Sequence, residues 1–504
     1  MLLLTTAALT ISGTAFAEKK PNIVLIYADD MGYGDISYMG EKSKIPTHNI
    51  DRLAQEGVVF TDAHTSSSVS TPSRYGLLTG RYNWRSTLKR GVVNGYSKSL
   101  IPQGRATLAS MLRSQGYTTA GIGKWHLGWD WNNVDAGIDK VDYTKPIENG
   151  PTTHGFDYWY GICASLDMPP YVYVENDRST QLPNRITSNK GMGFWRKGPT
   201  ASDFIHEEVL PNVTQRACKY ILEKAKEKQP YFLYLPLPAP HTPILPTSEF
   251  RGKSGLNAYG DFVMMVDAMV GRVMKAVEES GEEKNTIIVF STDNGCSPEA
   301  HIGELQQKGH YPSNVFRGFK ADLYDGGHRV PLIFKWPQKA KHHHVNQTVC
   351  LTDLYATFAA INKYKLKDNE AEDSYNLLPA IKSKKPVRNI REATVHHSID
   401  GDFTIRKGKW KLLLSAGSGG WSTPTAHDRR IVDGTLPKVQ LYDLENDPGE
   451  IQNLQAEFPE VVENLKQLFL TYVRNGRSTP GKPQHNDTDS SGKNWIQLSK
   501  VLAL

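Results

Sequence analysis

The chain has 504 residues, and 59 Lys and Arg against 53 Asp and Glu leave a formal net charge of +6. So small an excess provides no basic surface that could neutralise many phosphates, which argues against nucleic acid as a partner. With 39% hydrophobic residues and 42 glycines, the composition is globular and excludes a disordered or fibrous chain. The length suits one large α/β unit followed by a smaller one.

The start of the chain is predicted to be a signal peptide over residues 1–17. An apolar run occupies residues 2–16 and ends in Ala15-Phe16-Ala17 before Glu18, although no Lys or Arg precedes it. Small residues at positions 15 and 17 suit the processing enzyme, and the run is too short to span a bilayer. No later segment is apolar enough to be transmembrane. We therefore expect an exported protein, periplasmic or at the cell surface.

Short apolar runs then alternate with helical segments. Runs of strand length occupy Asn22–Ala28, residues 118–123, Tyr231–Pro236, Thr286–Thr292 and residues 331–336. Helical segments at residues 49–56, 107–115 and 261–280 come between them, and a glycine follows each. The alternation predicts a large, mostly parallel sheet sandwiched by helices, which we assign to one large domain over residues 18–390.

The pattern changes at about residue 391. Residues 403–414 and 439–444 are typical of strands in an antiparallel sheet, and residues 458–474 place apolar side chains at helical spacing. We predict a small C-terminal α+β subdomain over residues 391–480. The Ser-, Thr- and Gly-rich composition after it predicts a loose tail over residues 481–504.

Acidic side chains follow two of the predicted strands directly. Asp29 and Asp30 come after the first strand, and Asp293 and Asn294 come after the strand that ends at Thr292. Open α/β sheets bind ligands at the carboxyl ends of their strands. If these strands are neighbours, four oxygen-bearing side chains converge, which suits Ca²⁺ or Mg²⁺ better than zinc. The alternative is that each Asp only caps a turn.

Other strand ends carry cationic side chains. Lys124 and His126 follow the run at 118–123, and they would point the same way if the extended conformation persists. His241 follows Tyr231–Pro236 within a frame of prolines. A single Lys or His in such a place is equally compatible with a structural or solvated side chain.

Residues 70–80 (STPSRYGLLTG) form the most specific segment. Pro72 suits the first turn of a helix that runs through Leu78, so Ser70 would lie just before a helix N-terminus, where an anion is favoured. A capped helix without a site is the simpler interpretation. The segment nevertheless resembles the signature SxPSRxxxLTG of the sulfatases of the alkaline phosphatase superfamily, in its serine-type form. This resemblance implies that a formylglycine-generating, anaerobic sulfatase-maturing enzyme oxidises Ser70 to Cα-formylglycine.

The resemblance extends in order over nearly the whole chain. The matching segments are residues 21–34 (PNIVLIYADDMGYG), 123–128 (GKWHLG), 239–243 (APHTP), 291–295 (STDNG), 317–331 (RGFKADLYDGGHRVP) and 441–454 (LYDLENDPGEIQNL). The departures are mild. Phe319 and Ala321 flank Lys320 at positions where glycines are common in the family.

The resemblance also implies the site residues. One Ca²⁺ would be bound by Asp29, Asp30, Asp293, Asn294 and residue 70. The formylglycine hydrate would be held by Arg74 and Lys124 with His126 as its base, and the sulfate and its bridging oxygen would be contacted by His241 and Lys320. Three aspartates, one divalent ion and three Arg or Lys side chains sum to +2, which suits a sulfate ester.

The implied mechanism begins with attack of one hydroxyl of the hydrate on sulfur. His241, with Lys320 beside it, would protonate the departing alcohol, and a covalent sulfate would remain on residue 70. Deprotonation of the second hydroxyl by His126 would then release inorganic sulfate. Two alternatives stay open: a phosphatase or phosphodiesterase of the same superfamily that uses Ser70 directly, and a catalytically dead glycan-binding homologue. Asp293-Asn294 stands where two-metal phosphatases are expected to have an Asp-His pair.

A long insertion at residues 129–216 is the candidate substrate-binding region. Its aromatic and basic residues would suit a sulfated saccharide, although packing or simple surface exposure accounts for most of them. They are Trp129, Trp131, Tyr158, Trp159, Tyr160, Tyr171, Tyr173, Trp195, Arg178, Arg185, Arg196 and Lys197. Export together with a serine-type motif indicates a bacterial enzyme that acts on sulfated glycans. The sequence leaves the sugar and the sulfated position open.

Overall fold

The structure is a computed structural model, and it describes residues 19–385, 387–388, 390–488 and 495–504. The predicted signal peptide lies outside the described residues. Among the helices that are described, none combines the length and the apolar character that crossing a membrane requires.

The strands of the described chain form two main sheets and one separate two-stranded hairpin. They are β1 (Asn22–Ala28), β2 (Val58–His64), β3 (Thr118–Lys124), β4 (Tyr158–Ile162), β5 (Val174–Glu175), β6 (Arg178–Ser179), β7 (Pro183–Asn189), β8 (Trp195–Ala201), β9 (Tyr231–Pro236), β10 (Thr286–Thr292), β11 (Arg329–Lys335), β12 (His343–Val345), β13 (Val349–Cys350), β14 (Thr394–His397), β15 (Phe403–Lys407), β16 (Trp410–Leu413) and β17 (Gln440–Asp443).

Within the described residues, helices lie in seven of the sixteen connections between these strands and also follow the last strand. They are α1 (His48–Glu56), α2 (Ser70–Thr79), α3 (Leu108–Ser114), α4 (Val209–Lys224), α5 (Ala258–Glu279), α6 (Ile302–Gln307), α7 (Asp325–His328), α8 (Asp353–Ile361), α9 (Leu378–Lys382), α10 (Arg429–Val432), α11 (Pro459–Asn475) and α12 (Ile496–Leu502). Local sequence explains where the longer ones begin. The Asn257 side chain, for example, accepts hydrogen bonds from the backbone N–H groups of Tyr259 and Gly260 at the start of α5.

The large sheet has the order β12-β2-β11-β10-β1-β9-β3-β4-β5-β6, with β13 also paired to β2. Its centre is parallel: β1 lies between β10 and β9, and β3 lies between β9 and β4. Every residue of β1 and β10 is buried, as their continuous apolar sequences predict. The prediction of a mostly parallel sheet flanked by helices is confirmed. The strand predicted at residues 331–336 is β11, which runs antiparallel to β10 and β2.

The predicted second sheet is also present. Strands β14 to β17 form a four-stranded antiparallel sheet, and the apolar face of α11 packs against it. Their core includes Phe403, Leu412 and Phe469, and it takes in Tyr82 and Trp84 from the segment that follows α2. The two parts of the chain therefore share a buried surface. The domain boundary near residue 390 stays a prediction.

Within the predicted loose tail at residues 481–504, two described residues make defined contacts with earlier parts of the chain. The buried Arg81 guanidinium donates two hydrogen bonds to the Asp487 carboxylate, at 3.0 and 3.1 Å. Trp495 is fully buried, with its ring 6.0 Å from Trp84 and 5.8 Å from Phe403 between centroids. Composition alone could not predict these contacts, because the partners are distant in the chain. Arg81 and Trp84 lie several hundred residues earlier, and Phe403 lies nearly a hundred residues before Trp495.

Replacing Trp495 tests whether this terminal segment stabilises the fold. Because its ring is buried in the core of the C-terminal sheet, Trp495→Ala should lower the free energy of unfolding by about 3–5 kcal/mol. Ile496→Ala is the matched control, since that side chain is 71% exposed and should change stability by no more than about 0.5 kcal/mol. Denaturant unfolding measures both. Equal, small effects would show that the segment is not part of the core.

Candidate active site

The acidic residues at the two strand ends lie side by side. β1 pairs in parallel with β10, and Ala28 is in register with Thr292, so the residues that follow each strand meet at one edge of the sheet. The backbone N–H of Asp30 donates to Asp293 Oδ1 at 3.1 Å, and Asn294 Nδ2 donates to Asp30 Oδ1 at 2.7 Å. The expected convergence of Asp29, Asp30, Asp293 and Asn294 is therefore what the structure shows.

Ser70 faces this acidic edge from the start of α2. It is the first residue of the helix, after the extended Val69, whereas the sequence predicted it one position before. The Ser70 hydroxyl donates to Asp29 Oδ1 at 3.2 Å. Ser70 as a whole is buried, with 2% of its surface exposed. The helix ends at Gly80, which has φ of +62°, a conformation that glycine adopts without strain. The side chain at position 70 is thus directed into the cluster.

Each carboxylate is paired with a cation from a different segment. Arg74, one turn along α2, donates to Asp293 Oδ2 at 2.7 Å, and the same nitrogen lies 3.3 Å from Asp29 Oδ1. Lys124, the last residue of β3, contacts Asp29 Oδ2 at 2.7 Å and Ser70 Oγ at 3.3 Å. Lys320 contacts Asp30 Oδ2 at 2.7 Å. Three carboxylates and three cations therefore balance within one buried cluster.

Burial and these ion pairs shift the pKa values in opposite senses. Burial alone would raise the pKa of Asp29, but the charges of Lys124, His241 and Arg74 outweigh it and hold the pKa below its ordinary value. Burial lowers the pKa of Lys124, and the carboxylate of Asp29 opposes that shift. For Lys320 the neighbouring carboxylates of Asp30 and Asp29 outweigh burial and raise the pKa. The ion-paired forms of Asp29 and Lys320 are therefore the stable ones.

His126 is held by one backbone carbonyl and one side-chain hydroxyl. Its Nε2 lies 2.9 Å from the Val93 carbonyl, and its Nδ1 lies 3.5 Å from Ser165 Oγ. The extended conformation on which the prediction relied ends at Lys124, because His126 has φ of +55°. Burial, together with the charges of Lys124 and Arg74, lowers its pKa well below the ordinary value. The ring is therefore neutral at pH 7.

His241 lies beside Asp30 and shares that carboxylate with Lys320. Its Nε2 is 3.6 Å from Asp30 Oδ2, and its Nδ1 makes a short hydrogen bond with the Thr242 carbonyl. Because a backbone carbonyl only accepts, Nδ1 carries a proton and Nε2 faces the cluster. The structure thus brings the predicted site residues to one edge of the sheet, where His126 is near enough to Lys124 and Arg74 for their charges to lower its pKa.

The loop that carries Lys320 is fixed by distant backbone contacts. The N–H of Lys320 donates to the Cys296 carbonyl at 3.0 Å, and that of Ala321 donates to the Ser68 carbonyl at 2.8 Å. Ala321 has φ of +84°, a left-handed conformation that costs a residue with a Cβ about 1–2 kcal/mol. The family commonly has glycine at this position, and glycine would adopt this conformation without strain.

Two residues that the sequence interpretation did not select support the site. The buried Asp322 carboxylate accepts hydrogen bonds from the N–H groups of Phe319, Trp421 and Ser422, which connects the Lys320 loop to the C-terminal part of the chain. The Tyr27 ring lies 5.4 Å from the Arg74 guanidinium carbon. Asp322 could have been selected from the sequence, because it lies within a segment that resembles the family. Tyr27 could not, because it is one of several apolar residues in β1.

The donors at this edge fit a hard cation. Asp29, Asp30 and His241 each offer a ligand atom, and these three atoms lie within 4.8 Å of one another. Asn294 Oδ1 is buried and has no hydrogen-bond partner in the described part of the chain, which is unusual for a buried amide oxygen. A cation would satisfy that oxygen. Asp293 is not in the group of three, and its two oxygens accept hydrogen bonds from Arg74 and from the Asp30 N–H.

This fold places a buried cluster of acids and cations at the carboxyl edge of its parallel strands, where open α/β sheets usually bind ligands. A family model described as Sulfatase matches residues 21–362. The N-acetylgalactosamine-6-O-sulfatase of Bacteroides thetaiotaomicron is 32% identical over 492 residues, covering 90% of this chain and 93% of that protein. Arylsulfatase A of Homo sapiens is 31% identical over 477 residues, covering 91% and 89%.

A solved structure agrees with these sequence relatives. It is described under the metabolism of multiple glycosaminoglycans by Bacteroides thetaiotaomicron, and it matches this fold with a TM-score of 0.78 at 31% identity. The match covers 90% of this chain and 99% of that one. The chain belongs to the sulfatase family, and it is a sulfuric ester hydrolase.

Proposed function

We propose that the enzyme hydrolyses sulfate monoesters of glycans at the cluster around residue 70, after Ser70 has been converted to Cα-formylglycine by a maturation enzyme. The observation that carries the proposal is the position of Ser70 Oγ, 3.2 Å from Asp29 Oδ1 and 3.3 Å from Lys124 Nζ within the balanced cluster of acids and cations. An oxygen in this environment is surrounded by the charges that a reacting sulfate ester requires.

One Ca²⁺ would be held by Asp29, Asp30, Asp293, Asn294 and residue 70. Their carboxylate and amide oxygens are the ligands that calcium prefers, and Asn294 Oδ1 has no other partner among the described residues. When bound, the ion would supply positive charge that stabilises a sulfate ester and makes a neighbouring hydroxyl more acidic. The hydrated aldehyde at residue 70 would supply two hydroxyls on one carbon, one for attack on sulfur and one for release of sulfate.

Lys124 and Arg74 would orient the side chain at position 70. The Lys124 ammonium already contacts both Ser70 Oγ and Asp29, so it can hold a side-chain oxygen in place at this position. The Arg74 guanidinium lies between Asp293 and Asp29, and its Nε and Nη1 have no hydrogen-bond partner in the described structure.

His126 would act as the base. Its Nε2 is within hydrogen-bond distance of the Val93 carbonyl, so Nε2 carries the proton and Nδ1 is the nitrogen that can accept one. Because its pKa is lowered, the ring stays in the neutral, basic form well below pH 7. This is the protonation state that a general base requires.

His241 and Lys320 would assist the departing alcohol. Both face Asp30 Oδ2, His241 through Nε2 at 3.6 Å and Lys320 through Nζ at 2.7 Å. A proton held at His241 Nε2 can therefore be passed to an oxygen that binds between the two side chains. The ammonium of Lys320 would stabilise the negative charge that develops on that oxygen.

The substrate class and the location of the enzyme are part of the same proposal. The relative from Bacteroides thetaiotaomicron named above is a sulfatase of N-acetylgalactosamine 6-sulfate, so the 6-sulfated form of this sugar is the first saccharide to assay. We also propose that the protein is exported to the periplasm or the cell surface, where polymeric glycans are accessible. Residues 1–17 would carry the export signal.

The modification at residue 70 gives the first test. Protein with a mass-verified formylglycine should hydrolyse p-nitrophenyl sulfate, whereas mass-verified Ser70 protein should fold equally well but lose activity by at least about 1,000-fold. The physical reason is that a sulfated serine has no second hydroxyl on the same carbon to expel sulfate. Ser70→Ala provides the baseline, because it can be neither modified nor sulfated.

The same assay separates the alternatives. Hydrolysis of p-nitrophenyl phosphate by the unmodified Ser70 protein would favour the phosphatase. Absence of any hydrolysis by the modified, calcium-loaded protein would favour the glycan-binding homologue. Full sulfatase turnover by the unmodified protein would contradict the proposed mechanism.

The calcium site gives the second test. Asp293→Ala should reduce bound calcium from one ion per chain to less than about 0.1, since it removes a charged ligand and leaves the cluster with an excess of one positive charge. Asp293→Asn keeps the shape and should retain more calcium than the alanine variant. Elemental analysis of folded protein measures both, with Asp139→Ala on an exposed turn as the control. Unchanged calcium in the alanine variant would remove Asp293 from the site.

A further inference from the structure

Most of the aromatic and basic residues in the long insertion have structural roles. Trp129, Trp131, Trp159, Tyr160, Tyr171 and Tyr173 are each no more than 3% exposed, and the Trp195 ring stacks on His206. Arg178 and Arg185 donate to the backbone carbonyls of Thr144 and Phe204. Two side chains at the tip of the β7–β8 hairpin differ from these. Phe194 is 38% exposed, and the Arg196 side chain is 50% exposed.

This tip lies on the side of the site where the two histidines are. The Met192 carbonyl accepts hydrogen bonds from Thr242 Oγ1 at 3.0 Å and from the Ile244 N–H at 2.8 Å, which holds the tip to the segment that follows His241. Asp167, the partner of Arg196, lies two residues beyond Ser165, whose hydroxyl is 3.5 Å from His126 Nδ1. Asp167 also follows β4, the strand parallel to β3, so it comes to the same edge of the sheet as Lys124.

Asp167 and Arg196 are held together by several contacts. Arg196 Nη1 makes a short ion pair with Asp167 Oδ2, and the Arg196 N–H donates to the Asp167 carbonyl at 3.1 Å. The Tyr171 hydroxyl lies 2.9 Å from the Asp167 carbonyl and 2.6 Å from the Arg196 carbonyl. The pair is therefore rigid at its backbone, and only the guanidinium reaches solvent. Such preorganisation lowers the entropy cost of binding.

The pair also has hydrogen-bonding capacity that the described protein does not use. The Asp167 side chain is only 6% exposed, and its Oδ1 atom is buried without a hydrogen-bond partner among the described residues. Among the described residues, Arg196 has no partner for Nε or Nη2. A buried carboxylate oxygen without a partner is costly, and a group that both donates and accepts would satisfy it if the guanidinium shifted slightly. A hydroxyl is such a group, because it can donate to Asp167 and accept from Arg196.

The charge of the pair favours a hydroxyl over a second anion. The carboxylate neutralises the guanidinium, so the pair as a whole has no net charge with which to attract another sulfate. The exposed Phe194 ring, whose centroid is 5.8 Å from the Arg196 guanidinium carbon, adds an apolar face beside the polar groups. An aromatic face next to paired hydrogen-bonding groups matches the apolar face and hydroxyl edge of a pyranose ring.

We propose that Asp167 and Arg196 form a specificity-determining pair that binds a free hydroxyl on the sugar ring carrying the sulfate, with Phe194 beside the ring. This inference rests on the proposed function, because it names what the same site recognises beyond the sulfate group. It predicts that the pair contributes to turnover of a sulfated sugar and contributes nothing to turnover of an aryl sulfate, which has no hydroxyl to offer.

Arg196→Ala in the formylglycine-containing, calcium-loaded enzyme tests the proposal. Its kcat/KM on N-acetylgalactosamine 6-sulfate should fall by about 10- to 100-fold, as for the loss of a hydrogen bond to a charged group, while kcat/KM on p-nitrophenyl sulfate stays within about threefold. Lys228→Ala removes an exposed cation outside the insertion and should leave both values unchanged. Asp167→Ala should reproduce the selective loss, and melting temperatures confirm that each variant is folded.

Monodeoxy analogues of the sugar sulfate identify the contact itself. With the wild type, either the 3-deoxy or the 4-deoxy substrate should show the same reduced kcat/KM that Arg196→Ala shows with the intact sugar. With that deoxy substrate, kcat/KM of Arg196→Ala should be no lower than that of the wild type. Equal losses of Arg196→Ala on the sugar and the aryl sulfate would assign the pair a structural role and overturn the proposal. An unchanged kcat/KM on the sugar would do the same. If the wild type hydrolyses neither sulfate ester, the proposed function itself fails.

Discussion

Three carboxylates buried at the ends of two neighbouring strands impose the constraint on which the rest of the site depends. Taking a carboxylate out of water costs several kcal/mol unless a partner of opposite charge is close, and breaking such a buried pair costs about 3–5 kcal/mol. Asp293, Asp29 and Asp30 are neutralised by Arg74 from α2, Lys124 from β3 and Lys320 from a loop. The buried strand ends are therefore stable only in a fold that brings these segments together.

The same balance explains why the cluster suits an anionic ester. In the described structure three acids and three cations cancel, and one divalent ion would bring the sum to +2. The cations would then have charge to offer to a sulfate group. Sheet topology determines which residues take part, since parallel neighbours deliver all their carboxyl ends to one edge. The helix dipole at the start of α2 adds partial positive charge at residue 70.

Much of this arrangement could be predicted from the sequence. Continuous apolar runs predicted the central strands, and the position of polar residues directly after Ala28 and Thr292 predicted that two pairs of oxygen-bearing side chains meet at one edge of the sheet. Family resemblance was needed for Lys320, because its loop depends on hydrogen bonds to Cys296 and Ser68, far away in sequence. Local spacing also failed for the geometry at His126, where φ becomes positive, and for the chain end, where Trp495 packs on Trp84.

A crystal structure of the formylglycine-containing protein, grown with Ca²⁺ and measured with anomalous scattering, tests the central claim most directly. The account predicts a single calcium ion among the oxygens of Asp29, Asp30, Asp293 and Asn294, with the modified side chain of residue 70 next to it. An ion bound elsewhere would contradict it. So would a cluster that binds no calcium and keeps Lys124, Lys320 and Arg74 as the only partners of the three carboxylates.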